Sequence, residues 1–232
     1  MNYLLNESTD PHFNMAFDEW CLHNLDTGLP VFYLWKNRPS VIIGLNQNAE
    51  QEVNLKYLKR HGITLARRVT GGGAVYHDLQ NLNYSIIGRD IGPEIFAGAL
   101  CRLGVKAELT GRNDIFVDGR KVSGYAKSIW QDRILIHGTL MYDVDIDVLT
   151  EALSTPESKL VKKGVSSVRS RVTNLKEMLP QFNDIDEVKA ALHGILSDGG
   201  RLIELTEKQL SQVRELSDSK FSNPDWLFRE PK

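Results

Sequence analysis

Cysteine is scarce: Cys21 and Cys101 are the only two in 232 residues, and no CxxC occurs. That excludes a disulfide framework and a cysteine-rich zinc site, and it suits a reducing compartment. Both cysteines fall in apolar helical patterns and read as core packing rather than as nucleophiles. The six histidines form no HExxH or HxH pair, which argues against a transition-metal site, so no metal-ligating residues are expected. There is no GxSxG elbow and no GxxxxGK[ST] phosphate loop, which removes two common catalytic frames. No apolar run approaches the ~18 residues of a membrane span; the longest clear one is Val31–Trp35. The first ten residues, MNYLLNESTD, lack the basic and apolar regions of a secretory leader. Net charge is −2, so general electrostatic attachment to nucleic acid or to an anionic bilayer is not expected. The expectation is a cytoplasmic protein with no nucleic-acid and no membrane partner.

What is present is an ordinary globular balance, 41% hydrophobic and 25% charged. No Pro, Gly or Ser-rich linker and no repeat divides the chain, so residues 1–232 read as one domain. Residues 13–25 carry Phe13, Phe17, Trp20, Cys21 and Leu25 at helical spacing. Strands are expected at 31–35, 41–45, 63–69, 82–87 and 134–142, and helices at 50–60 and 93–103. Asp118-Gly119 between 115–117 and 120–125 signals a hairpin with a two-residue turn. Beyond residue 145 the pattern is helical, with capping pairs Asn174/Glu177, Asp184/Glu187 and Thr206/Gln209. Strands early and helices late favour an α+β fold.

Three segments carry chemistry. The first is RRVTGGGAVYHD at 67–78. Three successive glycines let backbone approach a ligand closely, their N–H groups can converge on an anion, and two arginines add fork-shaped cationic donors. A glycine-rich turn with solvated arginines is the plainer alternative. The second is the hairpin. If Val117 pairs with Arg120, then Phe116 faces Lys121 and Asp114 faces Ser123. Asp114, Phe116, Lys121 and Ser123 would share one face and Arg120 the other. A strand lysine there is either an edge gatekeeper or a fixed charge aimed at a ligand. The third is KLVKKGVSSVRSRV at 159–172, with five basic residues and no acid. It reads as a solvated basic loop or as a flap over an anionic ligand.

Taken in order, RRVTGGGAVYHD, GRND at 111–114, GRKVSG at 119–124, HGTL at 137–140 and KKGVSSVRSRVTNL at 162–175 resemble the lipoate–protein ligases of the biotin/lipoate A/B protein ligase family. The resemblance covers nearly the whole chain. It implies a biotin/lipoate-ligase-like catalytic domain, with mixed β-sheets flanked by helices. It also implies an ATP-dependent reaction in two steps. Lipoate attacks the α-phosphate of Mg2+-bound ATP to give lipoyl-AMP, and the ε-amine of a lysine on an apo-lipoyl domain then displaces AMP. The implied acceptors are the acyltransferase subunits of 2-oxoacid dehydrogenases and the glycine-cleavage carrier protein. Arg68, Gly73, Ala74, Val75 and Tyr76 would contact ATP or the adenylate. Lys121 would be catalytic, touching both the lipoate carboxylate and the α-phosphate, and 162–175 would order over the adenylate. Asp114 would orient Lys121 or help hold Mg2+; a strand-entry acid paired with a neighbour is the simpler reading.

Bacterial members of that family carry a further C-terminal accessory domain, and the expectation for residues 1–232 is the catalytic domain alone. A separate small accessory subunit, a single-domain enzyme and catalysis of one half-reaction are all compatible with the sequence. Trp226 and Phe228 in the tail would suit a missing partner or pack on their own domain. The rival activities are an ATP-independent lipoyl or octanoyl transferase and a non-catalytic protein that binds lipoate or a nucleotide. The transferase would need a placed cysteine, and neither Cys21 nor Cys101 lies in such a context.

Overall fold

The computed structural model describes residues 1–25, 28–111, 113–153 and 172–231. The larger sheet has seven strands: β1 (Asn2–Tyr3), β2 (Val31–Trp35), β6 (Asn81–Gly88), β10 (Arg133–Met141), β9 (Arg120–Trp130), β8 (Asp114–Val117) and β7 (Ala107–Thr110), in that spatial order. A smaller sheet runs β4 (Thr64–Arg67), β3 (Ser40–Ile43), β5 (Val75–His77). Both mix parallel and antiparallel pairs. Every residue of β2 and β3 is buried, which is why they read as unbroken apolar runs: each is covered on both faces.

Helix α1 (Pro11–Asn24) starts where the Asp10 carboxylate accepts from the N–H groups of His12 and Phe13, with Pro11 at the first turn. Its inner side joins Phe17, Trp20 and Cys21 to Tyr33, Trp35 and Ile42 in one core cluster. A second cluster packs α4 (Glu94–Leu103) and a late helix α6 (Ile185–Leu196) against the large sheet. A third lies beneath the small sheet, around α3 (Leu55–His61) and α5 (Ile146–Ala152). The chain closes with α7 (Glu207–Leu216), a π turn at Ser217–Phe221 and α8 (Pro224–Leu227).

Several local expectations need correction. The helix expected over 50–60 is two: α2 (Ala49–Glu52) ends at Val53, extended and buried, and Asn54 caps α3 by accepting from Tyr57 N–H. Burying Val53 outweighs continuous helix. Asn174 caps no helix; its amide pairs with both backbone groups of Val144 (3.1 and 2.9 Å). Asp184 and Thr206 do cap α6 and α7, the latter as a full capping box. Cys21 is buried, but Cys101 is exposed on the outer side of α4. Strand β9 runs five residues past its expected end because 126–130 keep pairing with β10. Trp226 packs on its own domain, donating to Arg67 O at 3.1 Å, while Phe228 is half exposed.

Candidate active site

The hairpin turn forms as expected, with Asp118 (φ 49) and Gly119 (φ 72) both left-handed. Its register departs from simple alternation by one residue. Val117 pairs with Arg120 and Phe116 with Lys121, but Ile115 pairs with Ser123 and Asp114 with Gly124. Val122 is thus the extra residue of a β-bulge. The bulge takes Ser123 off the lysine's face and buries it. It also puts Gly124 beneath the Lys121 side chain. A Cβ on Gly124 would come within 2.9 Å of Lys121 Nζ, so glycine there makes the lysine's position available. Nζ lies 2.7 Å from Asp114 Oδ1, with the lysine side chain 32% exposed. Arg120 is exposed on the other side.

The triglycine loop joins β4 to β5, and Arg68 organises it. The Arg68 side chain is 6% exposed and spends its donors on the loop itself. Nε donates to Thr70 Oγ1 (3.0 Å) and Gly71 O (3.2 Å). Nη1 donates to Ile42 O (3.0 Å), and Nη2 to Gly71 O (2.7 Å) and Gly73 O (2.8 Å). A peptide's C=O and N–H point opposite ways across a trans plane. With the carbonyls of Gly71 and Gly73 drawn toward the guanidinium, the N–H groups of Gly72 and Ala74 face away from it. Among the described residues nothing accepts from the N–H groups of Gly71, Gly72, Gly73 or Ala74. Burial lowers the Arg68 pKa to about 10, which leaves it charged at neutral pH. Arg67, 0% exposed, faces elsewhere. It holds Gly44 O, Leu45 O and Gln47 O on one side and Leu227 O on the other, anchoring the tail.

Gly44, just past β3, lets the glycine loop approach: a Cβ there would sit 2.2 Å from Gly72 O. Gly44→Ala is expected to displace the loop and destabilise the fold by about 1–3 kcal/mol, measured by denaturant titration. Unchanged stability would mean that the loop does not need this contact.

One cleft, about 570 Å³ counting its open mouth, collects these parts. Arg68, Gly73, Ala74 and Val75 line it from the loop side, and Lys121, Gly124, Tyr125 and Asn113 from the hairpin. Loop and hairpin nearly touch, since a Cβ on Gly72 would lie 3.9 Å from Asn113 Nδ2. Of the residues expected to contact ATP or the adenylate, Tyr76 alone points elsewhere, into the cluster with Val41, Leu58 and Met141. The 159–171 part of the basic stretch lies outside the described residues. Its continuation is tied to the lysine strand: Thr173 N–H donates to Lys121 O at 2.9 Å.

Sequence reading missed the inner end of the cleft, lined by Met15, Trp35, Ile42, His77, Asn83 and His137. Behind it lies Asp18, 1% exposed, which accepts from Tyr33 Oη, from Ser85 Oγ (2.7 Å) and from His137 Nδ1 (2.6 Å). His137 Nε2 in turn meets Thr70 Oγ1 at 2.7 Å, so the network reaches the Arg68 hub. The available signal was a pair of acids, Asp18 and Glu19, in a helix segment otherwise apolar over Met15–Leu22; only Asp18 is fully buried. Among the described residues no group of three or more His, Cys, Asp or Glu side chains is arranged to hold a metal, and no helix is long and apolar enough to cross a membrane.

Residues 10–196 match the model of the lipoyl protein ligase A/B catalytic domain. The chain is 43% identical to lipoate-protein ligase LplJ of Bacillus subtilis, covering 96% of this chain and 72% of that protein. It is 41% identical to lipoate–protein ligase 1 of Staphylococcus aureus, covering 98% and 73%. Among solved structures it is similar to a bi-partite lipoate protein ligase from Thermoplasma acidophilum, studied with its E2 lipoyl domain (TM-score 0.87, 34% identity, 98% of this chain and 95% of that one). A second Thermoplasma acidophilum structure, with bound lipoic acid, gives TM-score 0.82 at 31% identity and 98% of both chains. A lipoate-protein ligase A bound with ATP gives 0.81 at 34% and 98% of both chains.

Proposed function

The chain belongs to the lipoyl protein ligase A/B catalytic-domain family, and we propose how its cleft divides the work of that chemistry. The activity is ATP-dependent ligation of lipoate to protein. The observation that carries the reading is that Lys121 and the Gly73–Val75 side of the glycine loop line the same cleft.

The cradle receives the phosphates, with the N–H groups of Gly72 and Ala74 as donors and the walls of Gly73, Ala74 and Val75 against the nucleotide. Arg68 serves by holding the cradle's carbonyls and by its buried charge. Tyr76 supports the loop from the core beneath. Lys121 sits where the lipoate carboxylate meets the α-phosphate. Its ammonium offsets the charge that builds on phosphorus as pyrophosphate leaves, and later the charge on the carbonyl oxygen as the acceptor amine attacks and AMP departs. A preorganised donor is most effective where such charge develops. No enzyme nucleophile is needed, because the carboxylate and the acceptor lysine are themselves the nucleophiles. Cys21 is buried and Cys101 lies on an outer helix, so neither serves a thioester route.

Mg2+ enters with ATP as part of the substrate. One or two carboxylates beside substrate phosphates are its usual protein share, and Asp114 is the carboxylate held against the cleft-lining Lys121. Its contact with Lys121 supports an orienting role first. The acceptor is an apo-lipoyl domain, of the kind named for the archaeal relative. Incubating the protein with ATP, lipoate and a purified apo-lipoyl domain is expected to add one lipoyl group to one acceptor lysine, read by intact and peptide mass spectrometry. Modification without ATP would replace the ligase reading with the transferase one. Adenylate without modification would limit the chain to the first half-reaction.

A further inference from the structure

The inner end of the cleft sets apolar surface beside three polar side chains, of which His137 is already engaged by Asp18 and Thr70. Trp35 has its Nε1–H taken by Ser85 Oγ (3.0 Å), so it offers only ring surface, beside Met15 and Ile42. Two buried polar atoms there lack partners: His77 Nε2 and Asn83 Nδ2, in side chains 3% and 1% exposed. The amide of Asn83 can be exchanged end for end with that of Asn81, which it meets at 2.8 Å. His77 cannot be reversed in the same way. Asn14 Nδ2 faces the backbone carbonyls of Ser8 (2.9 Å) and Lys36 (3.3 Å), so it is a donor. It therefore donates to Asn37 Oδ1 (2.8 Å), and Asn37 Nδ2 must donate to His77 Nδ1 (3.0 Å). With Nδ1 accepting, the ring proton sits on Nε2. Burial, then the nearby Arg68 charge and His137, push the His77 pKa down to about 3, so the ring stays neutral.

Strand register fixes how far the inner end of the cleft lies from the lysine. Trp35 pairs with Asn83 and Asn83 with Thr139. Gly124 N–H donates to Thr139 Oγ1 at 3.2 Å. With neighbouring strands about 4.8 Å apart, Asn83 lies roughly 10 Å and Trp35 roughly 14 Å across the sheet from Gly124, over which Lys121 sits. An extended eight-carbon acid, with C–C bonds of about 1.5 Å, spans about 9 Å. With its carboxylate at Lys121, its far end comes level with Asn83, one strand short of Trp35, whose ring lines the same cleft. The His77 ring is 6.1 Å from the Trp35 ring.

We infer that His77, through Nε2–H, is a specificity-determining donor that selects acids carrying a hydrogen-bond acceptor near the distal end, and that the Asn14–Asn37 relay exists to fix its tautomer. The inference rests on the acid-activating reading above. A water can satisfy His77 in the free protein. A ligand that displaces the water must replace its bond or leave a buried donor unpaired. Dithiolane sulfur is a weak acceptor and a hydroxyl a stronger one; a plain hydrocarbon end offers none.

The test is direct calorimetric binding of lipoate, octanoate and 8-hydroxyoctanoate without ATP, on the wild type and His77→Leu. The wild type should bind lipoate and the hydroxy acid about tenfold more tightly than octanoate. His77→Leu should bring lipoate and octanoate within about twofold and weaken the hydroxy acid below both. A wild-type ratio near one, or a preference that survives in His77→Leu, would overturn the inference. If that variant does not fold, 15N NMR of the wild type decides. The His77 Nε2–H signal should move on adding lipoate or the hydroxy acid but not octanoate, and an Nδ1–H tautomer would refute the relay. Binding that follows this order without pyrophosphate release on adding ATP would instead fault the ligase reading and leave the donor standing.

Discussion

Lys121→Ala is expected to slow adenylate formation by about 10²–10³-fold or more, the usual consequence of losing one preorganised charge-stabilising donor, about 2.7–4 kcal/mol of barrier. The same ammonium serves both half-reactions, so transfer from preformed lipoyl-AMP should slow as well. The fold should hardly notice. The side chain is one-third exposed and its only ion pair among the described residues is with a similarly exposed Asp114, a class of contact worth about 0–1 kcal/mol. Pyrophosphate release with lipoate and ATP, beside a thermal melt, separates the two effects. Normal pyrophosphate release would remove Lys121 from the chemistry. Arg120→Ala, one residue away but exposed on the opposite face, should behave like the wild type. Asp114→Asn should fall between: it keeps the bulge and the shape but loosens the lysine's aim, so kcat should drop more than KM changes.

Much of this was legible in the chain because local chemistry dictated it. Asp118-Gly119 demanded left-handed turn residues and so fixed the hairpin; the late helices announced themselves through Asp184 and Thr206. The glycine run with its arginines marked the loop; the hairpin left Lys121 as either an edge gatekeeper or a ligand-directed charge, and the family resemblance chose the second. The bulge at Val122 was not legible. Alternation counts residues, and nothing in Lys121-Val-Ser-Gly124 says where one is to be skipped; the decision belongs to packing, since Val122 and Ser123 are both buried. The inner cleft was invisible for another reason. Asp18, Tyr33, Ser85 and His137 come from α1, β2, β6 and β10, four elements that only the sheet order brings together. Arg68 shows the converse: its presence was informative, but four of its five contacts run inward to the loop and the fifth to Ile42 of β3, which no spacing could reveal.

Arg68→Met tests that last point and should be the most damaging single change in the loop. The substitution keeps bulk but strips partners from the buried Ile42 carbonyl and Thr70 Oγ1 and from the loop carbonyls of Gly71 and Gly73. Each unmet buried acceptor costs about 1–3 kcal/mol. Some carbonyls will turn toward water, so a net loss of about 3–5 kcal/mol is expected. The turning matters more than the energy. Freed from the guanidinium, the Gly71–Gly72 and Gly73–Ala74 peptides can rotate, and the N–H groups that faced the phosphates rotate with them. ATP affinity should therefore fall with stability, while lipoate binding, which depends on the inner cleft, should weaken less. Arg68→Lys keeps the charge but offers one nitrogen for carbonyls that now engage three; it should recover part of the stability and little of the ATP affinity. Denaturant titration and ATP calorimetry on both variants give the answer. Unchanged stability with lost ATP binding would mean that Arg68 leaves the loop to touch the nucleotide. Unchanged ATP binding would mean that the cradle stands without it.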